Sequence, residues 1–245
     1  MSDYLYTLES HLNSAQSQAL AAVQTAATEA GLNLFLAGGA LRDMIAGFPI
    51  RDLDFVVEGN ANALAKAIAK KTGAEILATD ARRNSAELLF PQNVRIELSM
   101  AREEKYAKSG GKPTISPATI YEDLKNRDFT INAIAMSLNR ASKGLLIDPN
   151  NGLGDLERRE LRTVSKYTLY DDPVRILRLI RFAKRFQFTI DERTLSQYEN
   201  VRDGNLERKI GPEALRQELH HIAEEPTSAE IVKELDDQGL LTLFC

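Results

Sequence analysis

The sequence predicts an α+β protein, in which a mixed α/β domain over residues 1–148 is followed by an all-helical domain over residues 149–245. Its 245 residues allow one large domain or two small ones. The first part contains strand patterns, clearest at 93–99, where apolar and polar residues alternate as in a half-buried strand. From about residue 150 helical patterns dominate, and the domain boundary is therefore placed at residues 148–155.

The individual elements follow from periodicity and from glycine and proline positions. Gly31 and Gly73 each end an alanine-rich helix, because glycine readily adopts the left-handed conformation that closes a helix. Pro173 fits the first turn of a helix that Asp171 or Asp172 caps. In order, the first domain is predicted to contain a helix (11–30), a strand (32–37), a short helix (38–47), a strand (52–59), a helix (60–73), two strands (85–90 and 93–99), a helix leading into a strand (119–138) and a short strand (144–148). The second is predicted to contain helices at 151–160, 171–186, 191–202, 211–225 and 228–239.

The segment 102–118 interrupts this series. It is polar, contains two glycines and two prolines, and shows no periodicity. A loop this long inside a compact domain is usually functional or disordered, so we predict one of these two outcomes.

Composition excludes several classes of protein. Hydrophobic residues make up 43% and charged residues 27% of the chain, which is typical of a soluble globular protein. The only cysteine is Cys245, which excludes a disulfide framework and a cysteine-based zinc cluster. No apolar run approaches the roughly 20 residues needed to cross a membrane, so a cytoplasmic location is predicted. The net charge of −4 means that any nucleic acid would have to bind a local basic patch.

The first candidate site lies between Gly38 and Asp54. The pair Gly38-Gly39 lets a backbone approach a phosphate without a side chain in the way, and Arg42 adds a fixed cation. Asp52 and Asp54 stand one residue apart in a predicted strand, which places both carboxylates on one face. This combination predicts Mg²⁺ bound to a nucleotide. The alternative is a glycine turn with surface carboxylates.

Glu97 is a candidate third carboxylate. Its alternation with the apolar residues of the strand at 93–99 places it opposite the core face, where it could lie beside Asp52 and Asp54. There it could help to hold a second metal or polarise an attacking hydroxyl. A solvated strand glutamate is the alternative.

Two further segments carry candidate binding residues. In Arg127–Ala133, Arg127 can pair with a phosphate, whereas capping and surface charge would be the ordinary explanation. Further along, acidic and basic residues recur every third position and form one slowly drifting stripe on a helix. Arginine favours planar recognition, and Asp with Arg can match the edge of a base, whereas i,i+3 ion pairs on a solvated face would be the alternative. The members of this stripe are Asp172, Arg175, Arg178 and Arg181.

The order of these motifs resembles the class II tRNA nucleotidyltransferase and bacterial poly(A) polymerase family. The matching motifs are Gly-Gly-x-x-Arg-Asp, Asp-x-Asp, Arg-Asp-Phe-Thr-x-Asn-Ala and Asp-Asp-Pro-x-Arg-x-x-Arg-x-x-Arg-Phe, within residues 33–224. The resemblance implies a polymerase-β-like head up to about residue 148 and a helical neck after it. By this resemblance, the chain would lack the full body and tail regions that usually follow the neck in this family.

The resemblance further implies a role for each candidate residue. Gly38, Gly39, Arg42 and Arg127 would contact the nucleotide, and Asp52 and Asp54 would bind Mg²⁺. Asp172 and Arg175 would form a protein template that reads the base of the incoming nucleotide, with Arg178 and Arg181 in support. The segment 102–118 would be the flexible loop that helps to switch selection from CTP to ATP. Arg216 and Glu218 would stand at the polar positions of the last neck motif.

The predicted function is template-independent addition of CCA, or part of it, to tRNA 3′ ends from CTP and ATP, with release of pyrophosphate. An A-adding enzyme or a poly(A) polymerase on the same fold is the first alternative. A non-catalytic RNA- or nucleotide-binding module is the alternative from another class. The loop at 102–118 argues weakly against a CC-only enzyme.

Overall fold

A computed structural model describes residues 3–244 of the chain, so Cys245 lies outside the described residues. The chain forms two compact units. Within the described residues, the sheet unit comprises 3–104, 115–126 and 131–153, and the helical unit comprises 105–114, 127–130 and 154–244. Two short segments from within the predicted first domain, 105–114 and 127–130, therefore belong to the helical unit. The single domain boundary expected near residue 148 stays a prediction.

Helices and strands are interspersed as far as residue 161, and the elements are mainly helical afterwards. In chain order they are α1 (Asp3–His11), α2 (Ser14–Glu29), β1 (Asn33–Ala37), α3 (Gly39–Ile45), β2 (Leu53–Glu58), α4 (Ala61–Thr72), β3 (Glu75–Asp80), β4 (Ser85–Phe90), β5 (Val94–Met100), β6 (Arg102–Lys105), β7 (Thr114–Pro117), α5 (Ile120–Lys125), β8 (Ala135–Ser137), β9 (Leu146–Ile147), α6 (Gly152–Arg158), β10 (Glu160–Leu161), α7 (Thr168–Asp171), α8 (Arg175–Phe186), β11 (Thr189–Ile190), α9 (Glu192–Asp203), α10 (Pro212–Ala223) and α11 (Ser228–Asp237).

The centre of the sheet unit is a mixed sheet. Within the described residues it has seven strands in the order β3-β4-β5-β2-β1-β8-β9. Strands β2 and β5 run parallel, whereas β1 pairs antiparallel with both β2 and β8. Helices α2 and α4 pack beside each other against this sheet. The predicted α+β architecture, a mixed sheet with flanking helices followed by a helical portion, is confirmed.

Local sequence signals explain where several helices begin and end. Asn60 accepts a hydrogen bond from the backbone N–H of Ala63 (2.9 Å) and so caps α4, and Gly73 closes that helix in the left-handed conformation (φ +73°). Thr119 and Glu122 form a reciprocal capping box at the start of α5. These caps fix helices that flank the central strands.

The predicted element list differs from the structure in several places, and the unpredicted elements include α1, α7, β10 and β11. Strand β3 was not predicted, and the segment 102–118, expected as a loop, contains the strands β6 and β7, which pair with each other. Helix α8 begins at Arg175 rather than at Pro173, because Asp172 is extended (φ −133°, ψ 93°) and ends the short α7. The carboxylate of Asp172 instead accepts a hydrogen bond from the backbone of Val174 (3.4 Å).

The helical unit is built around α8, which packs against α10 and α11. Its sequence RILRLIRFAKRF buries Ile176, Leu177, Leu179 and Ile180 on one side. Strands β10 and β11 add a short parallel pair of two residues each. Among the helices of residues 3–244, no segment is both long and apolar enough to cross a membrane.

Candidate nucleotide and metal site

The turn between β1 and α3 carries the glycine pair. Gly38 has φ +74° and ψ −124°, a conformation that L-residues with a side chain rarely adopt, and its N–H donates to the carbonyl of Ile134 (3.1 Å). Gly39 follows as the first residue of α3. A Cβ atom added to Gly39 would lie 3.5 Å from Nη2 of Arg42 and 3.5 Å from Oδ2 of Asp54. A guanidinium and a carboxylate therefore border the same small space beside this glycine.

Arg42 is fixed in a buried position, with 5% of its surface exposed. Its Nε and Nη2 both lie 2.8 Å from Oδ1 of Asp43. Its Nη1 donates to the side-chain oxygen of Asn132 (2.6 Å). Asn132, which belongs to the segment Arg127–Ala133, thus helps to hold the guanidinium of Arg42 in place. Asn132 was not among the site residues predicted from the sequence.

The candidate carboxylates lie at the start of β2 and on β5. Leu53 and Phe55 are fully buried, so strand alternation places Asp54, which is half-buried, on the opposite face of the sheet. Asp54 is the register partner of Glu97 on the parallel strand β5, and Glu97 is exposed. Asp52 is also exposed and stands one residue before β2.

The chemistry of this face fits a shared magnesium ion. Mg²⁺ prefers oxygen ligands and is commonly held by one or two carboxylates together with substrate phosphates. Asp52 and Asp54 offer such oxygens, and the space beside Gly39 that a Cβ would fill lies next to Asp54. In the described part of the chain, no group of three or more His, Cys, Asp and Glu side chains has the arrangement of a complete protein metal site. Asp52 and Asp54 therefore fit a Mg²⁺ ion whose remaining ligands come from the phosphates of a nucleotide. The role of Glu97 as a third carboxylate stays a prediction.

The segment 127–130 lies in the helical unit. The backbone N–H of Val164 donates to the carbonyl of Asp128 (3.0 Å), and Phe129 pairs with Thr163 in an isolated β-bridge. The carboxylate of Asp128 forms an ion pair with Nη2 of Arg178 (2.7 Å). Asp128 of the Arg-Asp-Phe segment therefore forms an ion pair with a member of the arginine stripe. The positions of the two segments in the sequence do not indicate this contact.

The three arginines of the stripe have different environments. Arg175 has a side chain that is 12% exposed, with Nη1 donating to the carbonyl of Thr168 (3.4 Å) and Nε 3.9 Å from Oδ2 of Asp172. Arg178 is the most exposed of the three, at 39%. Arg181 is buried. The Asp172–Arg175 pair joins the acidic member of the predicted stripe to a basic one.

Arg181 forms a buried ion pair with α10. Its Nε lies 2.6 Å from Oε1 of Glu218, and its Nη1 lies 3.3 Å from Oε1 of Glu225. The side chains of Arg181, Glu218 and Glu225 are at most 7% exposed. Its guanidinium also lies over the ring of Phe182, at 4.5 Å from the centroid. Arg181 therefore holds α8 against α10, and its assignment to nucleotide binding stays a prediction.

Asp155 was not singled out from the sequence. It is fully buried, and its carboxylate accepts hydrogen bonds from the hydroxyl of Thr130 (2.6 Å), from Arg162 (2.7 Å) and from Arg158. The backbone N–H of Thr130 also donates to the carbonyl of Arg162 (2.9 Å). These bonds anchor the end of the segment 127–130 in the helical unit. A single aspartate in GLGDLER gives no sequence signal for such burial.

Part of the predicted flexible loop also contacts the helical unit. The N–H of Gly110 donates to the carbonyl of Asp171 (3.1 Å), one residue before Asp172. Gly110 has φ +66°, and a Cβ there would lie 2.9 Å from the Cβ of Lys209. Burial raises the pKa of the Asp171 carboxyl, an effect that the neighbouring Arg175 partly offsets. A role of this loop in choosing the nucleotide stays a prediction.

Comparison with known proteins identifies the family. Residues 34–162 match the Poly A polymerase head domain. The A-adding tRNA nucleotidyltransferase of Halalkalibacterium halodurans is 34% identical over 249 residues, which cover 99% of this chain and 58% of that protein. The solved structure of a CCA-adding enzyme in apo form II has a TM-score of 0.85 at 30% identity and covers 99% of this chain and 57% of the solved one. A tRNA nucleotidyltransferase solved with a primer tRNA and an incoming ATP analog has a TM-score of 0.76 at 34% identity, covering 91% and 62%.

A mixed sheet with a glycine turn beside an aspartate, followed by a helical portion, matches the arrangement of solved CCA-adding enzymes. The chain belongs to the class II tRNA nucleotidyltransferase family, as its motifs predicted. It spans between 21% and 58% of the length of the first three curated relatives that it matches.

Proposed function

We propose that this chain catalyses nucleotide addition to the 3′ end of tRNA, adding CCA or part of it from CTP and ATP. The observation that carries the proposal is the meeting of the Arg42 guanidinium and the Asp54 carboxylate beside Gly39, which lacks a side chain. A triphosphate needs a cation and backbone access at one end, and carboxylates for its metal at the reacting end. The family to which the chain belongs gives independent support.

The reaction is an in-line displacement. The oxygen of the RNA 3′-hydroxyl attacks the α-phosphorus of the nucleotide, the bond from that phosphorus to the bridging oxygen breaks, and pyrophosphate leaves with the electron pair. When bound, Mg²⁺ would help the hydroxyl to lose its proton and would neutralise charge on the leaving group. We assign Asp52 and Asp54 as its protein ligands.

The remaining side chains would position the nucleotide rather than react with it. Arg42, held by Asp43 and Asn132, supplies a fixed positive charge where the phosphates lie. Gly38 and Gly39 keep the approach open. Because Asp43 and Asn132 hold Arg42, its guanidinium would need little reorganisation when charge develops on the phosphates.

The helical unit would select the base and hold the nucleotide. Arg127 is proposed to contact the nucleotide, and Asp172 and Arg175 to read the edge of cytosine or adenine. Arg175 is held by the Thr168 carbonyl and lies near Asp172, so its donors have a defined direction. Arg178 is proposed to support this pair through its ion pair with Asp128, and Arg181 through its buried contact with Glu218.

The decisive experiment uses the purified chain, labelled CTP and ATP, and three tRNAs that end before CCA, after the first C and after CC. Incorporation on all three, dependent on Mg²⁺ and lost when EDTA is added, is the expected result. Incorporation of neither nucleotide, with the fold intact by circular dichroism, would favour a non-catalytic RNA- or nucleotide-binding module and overturn the proposal.

An A-adding enzyme is the second candidate. The name of the relative from Halalkalibacterium halodurans supports it. The same experiment separates the two functions: adenosine added only to the tRNA ending in CC indicates an A-adding enzyme. Long adenosine tails on unrelated RNA ends would instead indicate a poly(A) polymerase.

A further inference from the structure

A buried glutamine on α9 contacts the short helix that precedes Asp172. Gln197 is 8% exposed, and its amide NH₂ donates to the hydroxyl of Thr163 (2.7 Å) and to the carbonyl of Ser165 (3.1 Å). Its amide oxygen accepts from the backbone N–H of Leu169 (3.5 Å). One side chain thus links α9 to both ends of the turn 165–169.

The turn 165–169 is not expected to be stable without contacts from other elements. Helix α7 has only four residues, and an isolated helix of that length is unstable because its first turn is costly to form. Locally, Thr168 accepts a hydrogen bond from the N–H of Ser165 (3.0 Å) through its hydroxyl. Gln197 adds bonds to the backbone of Ser165, the donor of this bond, and of Leu169, whose N–H belongs to the same peptide group as the Thr168 carbonyl. The orientation of the Thr168 carbonyl therefore depends on α9.

The same carbonyl receives the guanidinium of Arg175. Nη1 of Arg175 donates to it at 3.4 Å, and Nε lies 3.9 Å from the carboxylate of Asp172. A shift of the turn would move the Thr168 carbonyl, which is an acceptor of the Arg175 guanidinium. The bonds thus form a continuous path from Gln197 through the turn 165–169 to Arg175.

We infer that Gln197 is a positioning residue for base selection, which acts by holding the turn 165–169 so that Arg175 points in one direction. This inference rests on the proposed function, because it requires Asp172 and Arg175 to read the base. Gln197 itself acts without touching the nucleotide. It sets the selectivity among nucleotides more than the affinity for triphosphate.

The test compares Gln197→Leu with Thr194→Val. Thr194 is a matched control because it is also on α9, is fully buried and accepts a hydrogen bond from the N–H of the same Thr163 (2.9 Å), while its own N–H and hydroxyl donate to Asp191 rather than to the turn 165–169. The readouts are kcat/KM for CTP, ATP, UTP and GTP, and competition binding of the four triphosphates without turnover. Gln197→Leu is expected to lower discrimination against UTP and GTP about tenfold, with KM for CTP and ATP changed about twofold or less. Thr194→Val is expected to keep the selectivity of the original chain at a similar loss of Tm.

Two further variants make the outcome decisive. Gln197→Glu keeps the side-chain shape and the oxygen that accepts from the N–H of Leu169, but it loses the two N–H donors to Thr163 and Ser165. It therefore tests the same hydrogen bonds if Gln197→Leu fails to fold. In the double variant Gln197→Leu/Arg175→Ala, selectivity should be no lower than in Arg175→Ala, because both changes act through one guanidinium. Unchanged selectivity in the Gln197 variants, or equal loss in Thr194→Val, would overturn the inference. If Arg175→Ala itself left base choice unchanged, the proposed template would fall, and the role of Gln197 with it.

Discussion

Asp54 on β2 lies beside Glu97 on β5, because the two strands run parallel with these residues in register. Adjacent strands are about 4.8 Å apart, so two carboxylates are held near each other on one face of the sheet. Like charges in such positions repel, and a divalent cation nearby would relieve that repulsion. An acidic face of this kind next to a glycine turn would suit the metal-dependent phosphoryl transfer proposed for this site.

The first prediction separates the roles of these carboxylates. Asp52→Ala or Asp54→Ala is expected to lower nucleotide incorporation by at least about 10²–10³-fold, because each removes a charged ligand from the reacting centre. Single-turnover incorporation is the measurement, with circular dichroism to show that the fold is kept. Glu97→Gln serves as the comparison: a loss of the same size would make Glu97 a third catalytic carboxylate, and near-normal turnover would make it a solvated strand residue. Full activity in either aspartate variant would contradict the metal assignment.

The second prediction uses the two adjacent glycines. Gly39→Ala adds a methyl group 3.5 Å from Arg42 and Asp54, in a helical position without a positive φ. We expect its stability to stay equal or rise slightly, and its activity to fall about 10²-fold because the methyl group occupies the space proposed for the phosphates. Gly38→Ala should instead cost about 1–2 kcal/mol of folding free energy, since its φ is +74°.

Urea denaturation and kcat/KM for CTP and ATP check both variants. The proposal for this turn would be wrong if Gly39→Ala were fully active. It would also be weakened if the two substitutions lowered stability equally, since only Gly38 has the strained backbone.

The third prediction concerns the Arg181–Glu218 pair. Removing one partner leaves a buried charge, so Arg181→Met should lower the unfolding free energy by about 3–5 kcal/mol. The double variant Arg181→Met/Glu218→Leu should recover much of that loss, because neither charge then remains, and Glu225 keeps its contact with Arg185. The control is Arg216→Met on α10, the helix that carries Glu218. It removes the ion pair with Glu213, whose side chains are 74% (Arg216) and 69% (Glu213) exposed, and should change the unfolding free energy by less than about 1 kcal/mol. Urea unfolding of the four proteins measures this. A double variant that is even less stable than Arg181→Met, with the two losses of unfolding free energy adding up, would contradict this prediction.

Much of the fold is predictable from the sequence, because most elements have strong periodicity or clear caps. The central strands and the long helices were predicted within a few residues. Strand β3 was missed because it is an edge strand whose six residues are mostly exposed, so EILATD shows no alternation. Similarly, α7 is too short to carry a helical period.

The candidate site was predictable where the residues are close in sequence and not where distant partners decide. Gly38, Gly39, Arg42 and Asp54 are within seventeen positions, and the structure brings Gly39, Arg42 and Asp54 together. The burial of Arg181 depends on Glu218 and Glu225, which are 37 and 44 residues away. Steps of three residues also drift about 60° each around a helix, so Arg181 lies roughly 120° from Arg175 and faces α10. One stripe in the sequence therefore has three environments in the structure.

The last prediction concerns pH. Burial, and then the charge of Arg181, lower the pKa of His221 below its ordinary value of 6.5; Arg178 acts in the same direction, and Glu218 and Glu224 oppose it. The unfolded chain therefore binds a proton at a higher pH than the folded chain does. The contribution of neutral His221 is fully present above pH 6.5 and is lost as pH falls from 6.5 towards the lower folded pKa. His221→Gln should make the urea midpoint less dependent on pH between about 7.5 and about 5.5, measured as the difference from the original chain at each pH. His220→Gln changes the exposed neighbour, which is paired with Glu224 (3.3 Å). This variant should keep the pH dependence of the urea midpoint that is assigned to His221. An identical pH profile in His221→Gln and the original chain would show that this histidine does not couple folding to protons.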